Sequence, residues 1–177
     1  QSGYSLDLIS RNYDTLINYM SVFNHGELAF PDLAMSPMGK IHFEEVKNIF
    51  VILQILLPIT AAVGIPWSIY LYIKKHERFF FKIAGIITLA LPVFLGIWAA
   101  INFDSLFITF HKIAFRNDYW IFYPSLDPVI NILPEEFFMH ALILIVGIVI
   151  GMGILFLVLG RKYSKKKIKQ NSKKAIK

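Results

Sequence analysis

The 177 residues are 56% hydrophobic and only 17% charged, with a mean hydropathy of +0.56, which is too apolar for a water-soluble domain of this length. Lysine and arginine outnumber aspartate and glutamate by 18 to 12, a net charge of +6. The chain has no cysteine, so disulfides, thiolate metal sites, iron–sulfur clusters and cysteine nucleophiles are excluded.

The first predicted element is an amphipathic helix over Ser5 to Met20. Leu6, Ile9, Tyr13, Leu16, Ile17 and Met20 recur at helical spacing there, with Asp7, Arg11, Asp14 and Asn18 between them. A turn-rich stretch follows from Asn24 to Asp32, and Ser36-Pro37 offers an N-cap with proline at the first helical position. The helix begun there runs into the first of three long stretches without Asp, Glu, Lys or Arg, at 48–73, 83–103 and 137–160. Each is long enough to cross the ~20-residue hydrocarbon core. Pro58, Pro66 and Pro92 within the first two predict kinks. In the third, Gly147 and Gly151, followed by Gly153, have the small-residue spacing that lets helices approach closely, read here as packing within one bundle.

Charge sets the orientation. The turn 74–82 carries four basic residues and one acidic, and the tail 161–177 nine basic and none acidic, so both are expected in the cytoplasm. Residues 1–47 and 104–136 are acid-rich and are expected outside. The basic excess is thus a topology signal and a lipid-head-group contact rather than a nucleic-acid patch. The predicted class is an all-α membrane protein forming a single membrane domain. It has three transmembrane helices and an extracytoplasmic helical cap rich in aromatic residues.

The outer loop 104–136 carries Phe107, Phe110, Phe115, Tyr119, Trp120, Phe122 and Tyr123. Phe103, Phe107, Phe110, His111, Ala114 and Phe115 fall at helical spacing, so the second span is expected to continue beyond its apolar run or bend along the surface. Asn117-Asp118 then turns the chain, Asp127-Pro128 offers a second helix start, and Pro134-Glu135-Glu136 opens the third span. His42 lies eight residues before Phe50 and His111 eight residues after Phe103. At ~1.5 Å per residue both imidazoles then stand about 12 Å outside an apolar boundary, where they can meet. Glu45, three residues after His42, shares its helix face and can accept a ring N–H.

No His-Glu-x-x-His or comparable spacing points to a metal, and Ser105 and Ser125 lack the Gly-flanked turn of a serine nucleophile. General acid–base catalysis by imidazole remains, with a substrate that brings its own nucleophile and without a cofactor. The residues leave a non-enzymatic scaffold with a partner-docking cap, and a lipid hydrolase using water, as alternatives.

The ordered set Arg11-Asn12-Tyr13-Asp14, Phe30-Pro31-Asp32, Ser36 and His42-Phe43-Glu44-Glu45-Val46-Lys47 resembles the first half of the bacterial lipoprotein intramolecular transacylases (Lit). Phe110-His111, Phe115, Asn117-Asp118-Tyr119-Trp120, Asp127-Pro128-Val129-Ile130, Leu133-Pro134-Glu135 and Phe137-Phe138 resemble the second. The resemblance implies a multi-pass enzyme of the bacterial cell membrane with its active site on the extracytoplasmic face. Its implied reaction moves the sn-2 acyl chain of an S-diacylglyceryl lipoprotein to the amine of that protein's own N-terminal cysteine, giving a lyso-form lipoprotein. It also implies His42 and His111 as the catalytic pair. Tyr119 and Trp120 are expected to wall the substrate, with Glu45, Asn117, Asp118 and Asp127 supporting; which histidine is the base stays open. The chain departs from the family at Glu45, where Asp is commoner, and the family implies a further span upstream of Gln1.

Overall fold

The computed structural model describes residues 3–75 and 78–175. His76 and Glu77 of the basic turn, and the last two residues of the basic tail, lie outside the described residues. The elements are α1 (Leu6–Tyr19), α2 (Pro37–Tyr70) with a closing π-helical turn (Leu71–Lys75), and α3 (Arg78–Ile101). They continue with α4 (Phe103–Phe115), a 3-10 turn (Pro128–Asn131) and α5 (Glu135–Ala175). Among the described residues there is no strand. The chain forms two compact units, residues 1–61 with 107–138 and residues 62–106 with 139–177.

In the first unit, local capping chemistry starts the helices. The Ser5 hydroxyl accepts from Leu8 N–H at 3.3 Å, and the Ser36 hydroxyl accepts from Gly39 N–H at 2.9 Å with Pro37 at the first helical position. The core joins Leu16, Tyr19 and Met20 of α1 with Leu28, Leu33, Phe43, Val129 and Leu133. The face of α1 that is buried is therefore offset from the expected stripe. Leu6 and Ile17 are exposed, and Asn12, at the centre of the buried face, is completely inaccessible.

Asn12 can be buried because every polar atom of its amide is used. Its Nδ2 donates to Leu8 C=O at 2.7 Å and to Asp32 Oδ2 at 2.9 Å, while its Oδ1 accepts from Asp32 N–H at 3.3 Å. Arg11 adds two donations to the same Asp32 carboxylate, at 3.2 and 3.0 Å. The far end of α1 is fastened to α2 by Gln54, whose amide donates to Met20 C=O at 2.7 Å and accepts from Val22 N–H at 3.1 Å.

In the second unit, α3 and α5 approach through glycine. A Cβ on Gly85 would lie 2.9 Å from Gly153 C=O, one on Gly153 would lie 2.6 Å from Leu89, and one on Gly160 would lie 2.9 Å from Lys82 N. Gly147 and Gly151, the pair singled out by spacing, have open space where a Cβ would stand. Contact between these helices is made one face around and further along. Asn102 separates α3 from α4: its side chain accepts from Ser105 N–H at 2.8 Å and caps a new helix where the sequence suggested one continuous or bent one.

Three helices, Pro37–Lys74, Phe79–Ile101 and Glu135–Arg161, are long and apolar enough to cross a membrane. Only 0%, 11% and 6% of their apolar windows are buried inside the protein, so lipid must cover the rest. In α2 the charges Lys40, Glu44, Glu45 and Lys47 are confined to the first third, and no other charge follows before Lys74.

Replacing Asn12 by alanine should lower stability by about 1–3 kcal/mol, because it removes a fully buried amide together with its bonds to Leu8 C=O and to the Asp32 carboxylate and N–H; detergent-solubilised thermal unfolding reads this. Gly85→Val should cost about 1–3 kcal/mol through overpacking, whereas Gly147→Val should be close to neutral in the same assay.

Candidate active site

The charged first third of α2 and the last turns of α4 each present one histidine to the same place. The ring centroids of His42 and His111 are 6.0 Å apart, and the two residues are 6% and 9% exposed. Phe115 packs against both, at 4.7 Å from His42 and 5.5 Å from His111. Phe122 closes over His42 at 5.5 Å; Phe107 and Trp120 pack against His111 at 4.1 and 4.8 Å and lie 6.5 Å from one another. Phe107 and Phe115 are four residues either side of His111, so a single helix face carries imidazole and wall together.

Hydrogen bonding distinguishes the two rings. His111 Nδ1 lies 2.7 Å from Phe107 C=O. A carbonyl can only accept, so the proton of the neutral ring sits on Nδ1 and Nε2 carries the lone pair. His42 Nδ1 is buried with no hydrogen-bond partner among the described residues. Burial lowers the His42 pKa from its ordinary value to about 4, with the nearby His111 adding to the effect. Burial also lowers that of His111, opposed by the bond to Phe107 C=O. Both imidazoles are therefore uncharged at neutral pH.

The other expected site residues divide. Asn117 is a joint: its Nδ2 donates to Glu45 Oε1 at 2.8 Å, its Oδ1 accepts from Tyr119 N–H at 3.0 Å, and its C=O accepts from Trp120 Nε1–H at 2.8 Å. Arg116, at φ 56°, takes the left-handed conformation that ends α4 and brings Asn117 round to Glu45. The turn expected at Asn117-Asp118 thus begins one residue earlier. Glu45 faces Asn117 rather than His42 Nδ1, so the anticipated carboxylate–imidazole bond is replaced by a carboxylate–amide one.

Trp120 reaches an imidazole directly, whereas Tyr119 enters through its backbone. Asp118 is exposed and shares a cavity of about 310 Å³ with Lys112, Arg116 and Asn117. Asp127, 3% exposed, turns away to accept from Ser36 N–H at 2.7 Å. Phe107 and Phe115 shared a helical spacing with His111 in the sequence, whereas Phe122 was legible only as aromatic load and its contact with His42 needed the fold. Among the described residues no three His, Asp or Glu side chains converge as a metal site would require.

A family model described as lipoprotein intramolecular transacylase Lit matches residues 1–138. The chain belongs to the Lit family. Among solved structures it is similar to the membrane-integral Lit of Bacillus cereus, with 45% identity and a TM-score of 0.86 over 94% of this chain and 77% of that one. Two variants of that protein with one histidine replaced, by arginine and by alanine, match at 43% identity. Their TM-scores are 0.76 and 0.73, over 96% and 94% of this chain and 75% of each of those. Comparison with curated protein sequences gives no match. Membership in the Lit family makes this chain a membrane-integral lipoprotein intramolecular transacylase, and the scaffold alternative falls away.

Because burial disfavours the imidazolium, the neutral imidazoles persist as pH falls to 6.5 and are lost only as it drops through the lowered histidine pKa values. Transacylation should accordingly hold level from pH 7.5 to 6.5, with its acid limb below. Trp120→Ala, which admits water to His111, should move that limb upward; pH profiles of kcat/KM on the two proteins check it.

Proposed function

We propose that this enzyme transfers the sn-2 acyl chain of an S-diacylglyceryl lipoprotein to the α-amine of its N-terminal cysteine, using His111 as base and His42 as oxyanion donor. The observation that carries the reading is the pair of uncharged imidazoles in one aromatic shell, with His111 Nδ1–H already committed to Phe107 C=O. The lone pair on His111 Nε2 is then the base. For His42, a buried Nδ1–H without an acceptor would cost more than a buried Nδ1 lone pair, which favours the tautomer whose proton is on Nε2. That Nε2–H is a donor for a developing oxyanion.

In this mechanism His111 Nε2 takes a proton from the cysteine ammonium, a group that ordinarily titrates near pH ~8. The freed amine attacks the sn-2 ester carbonyl, and the oxygen that gains charge accepts from His42 Nε2–H. Collapse breaks the bond to the glyceryl oxygen, which takes the proton back from His111 and leaves as a hydroxyl, while the nitrogen sheds its second proton to solvent, so that one proton is released overall. One ester is lost and one amide formed, with no water and no group on the protein acylated. Phe115, Phe122 and Trp120 keep water from the ester and hold the diacylglyceryl group close to the amine, which lowers the entropic part of the barrier.

The acid-rich segments around 1–47 and 104–136 support an extracytoplasmic site in a bacterial cell membrane. The first compact unit gathers nearly all of both around the histidines. Asn117, Glu45 and Asp127 support the site from behind, the first two through the joint and Asp127 by fixing the start of α2. Tyr119 and Asp118 border it.

Expressed in a host without N-acylating activity, the protein should convert a diacylglyceryl lipoprotein to a form with one acyl group on the glyceryl and one on nitrogen, read by mass spectrometry of the N-terminal peptide. His111→Ala and His42→Ala should each reduce this at least about 100-fold. An unchanged diacyl peptide from the wild type would refute the reading, and release of free fatty acid would make the enzyme a hydrolase.

A further inference from the structure

Glu45 is the carboxylate built into the wall behind the histidine pair, and half of it is unexplained. Its Oε1 accepts from Asn117 Nδ2, while its Oε2 is buried and receives neither a hydrogen bond nor an ion pair from any described residue. A carboxylate oxygen withdrawn from water without a donor is costly, so a structure that retains one implies a donor that arrives with the substrate.

The position of this oxygen is defined by its neighbours. Glu45 follows His42 by one helical turn on α2, and Asn117, which holds Glu45, also accepts the indole N–H of the Trp120 that stacks on His111. The carboxylate is therefore one helical turn from His42 along α2 and is linked to His111 through Asn117 and Trp120. Its orientation is not free, because Asn117 is itself fixed by three further hydrogen bonds, with Phe115 C=O, Tyr119 N–H and Trp120 Nε1–H, and follows the left-handed Arg116. Neither imidazole can be the missing donor: His111 Nδ1–H is committed to Phe107 C=O, and His42 Nδ1 is separately unpartnered.

We propose that Glu45 Oε2 is the binding site for the α-ammonium of the lipoprotein's N-terminal cysteine, and that it makes the enzyme selective for a free amine. This rests on the acceptor named under Proposed function and adds the residue that recognises it. An ammonium has three N–H bonds, so one can go to Glu45 Oε2 while another faces His111 Nε2. The carboxylate thus holds the nitrogen that the base then deprotonates. Among the described residues of the histidine wall, Glu45 alone carries a formal negative charge, since both imidazoles are neutral. Asp118, the acid beside Asn117 in sequence, is exposed and lies in a cavity with Lys112 and Arg116, where a cation is not favoured.

The test uses a dialkylglyceryl cysteinyl peptide, whose ether at sn-2 cannot transfer, with its amine either free or acetylated. At pH 7 the wild-type enzyme in nanodiscs should bind the free amine about ten- to a hundredfold more tightly than the acetylated peptide. Glu45→Gln, which can still accept from Asn117, should bring the ratio close to one and raise KM more than it lowers kcat. Glu44→Gln, an exposed charge change beside it, should leave the ratio intact. A wild-type ratio near one, or a ratio that survives Glu45→Gln, overturns the proposal. Carbodiimide coupling of the free-amine peptide to the wild-type protein gives a readout that needs no variant. An amide mapped to Glu45 is expected, and one mapped to Asp118 or to no site-wall carboxylate overturns it. If the ester substrate instead yields no N-acyl product with wild type, it is the proposed reaction that fails, whatever the binding ratio.

Discussion

Two imidazoles can be buried side by side only if both are uncharged, and much of the first compact unit serves that condition. A single imidazolium there would lose its hydration and a pair would repel, so the aromatic shell and the neutral state imply one another. Phe115 touches both rings and Trp120 and Phe107 enclose one, while Phe43 and Phe122 close the other side. Holding the shell together requires the charged third of α2 to meet the end of α4. Beside the ring contacts, they are linked by a side-chain hydrogen bond from Asn117 to Glu45, spanning 72 residues of sequence. Arg116 accepts an unfavourable backbone conformation to place Asn117 there, a local cost offset by the four hydrogen bonds Asn117 makes at its side chain and carbonyl.

What could be read from the sequence was whatever rests on neighbouring residues. Ser5, Ser36-Pro37 and Pro134-Glu135 announce helix starts within a residue or two, because capping is a contact with the next turn. The three lipid-covered helices follow from run length alone. The meeting of His42 with His111 was accessible through equal offsets from two apolar runs. Partner choice was not accessible. Helical spacing allowed Glu45 to reach His42, but spacing states what can touch, and the nearer-fitting amide of Asn117 came from a distant loop. The glycines behave likewise: small-residue spacing at Gly147 and Gly151 permits close approach, and the approach occurs at Gly153 and Gly160, where α3 offers Gly85 and Lys82. Asn12 and Gln54 are ties to Asp32 and to the end of α1, and nothing short of the fold identifies what they tie.

The division of labour between the units follows from solvent. Helices whose apolar windows stay almost wholly uncovered by protein need little beyond glycine contacts to pack, because lipid satisfies their surfaces. The first unit has the opposite problem. It must organise carboxylates, amides and neutral rings over a short distance, and it does so with side chains whose hydrogen-bonding capacity is nearly exhausted, Asn12 and Asn117 above all. Among the described residues Glu45 Oε2 and His42 Nδ1 are the exceptions, and they stand one helical turn apart on α2, beside the paired imidazoles.

Asp127 carries one further implication, in terms of how such a sequence can change. Its carboxylate accepts from Ser36 N–H across 91 residues and lies where any side chain at position 39 would have to begin. Ser36, Gly39 and Asp127 therefore form a unit of inheritance although they come from opposite ends of the cap: a larger residue at 39 is admissible only in a lineage that has already lost or shortened the acid at 127. Change at 39 must therefore follow change at 127, and the start of α2, with the histidine one turn further along it, is held in place by that order of descent as well as by its hydrogen bonds.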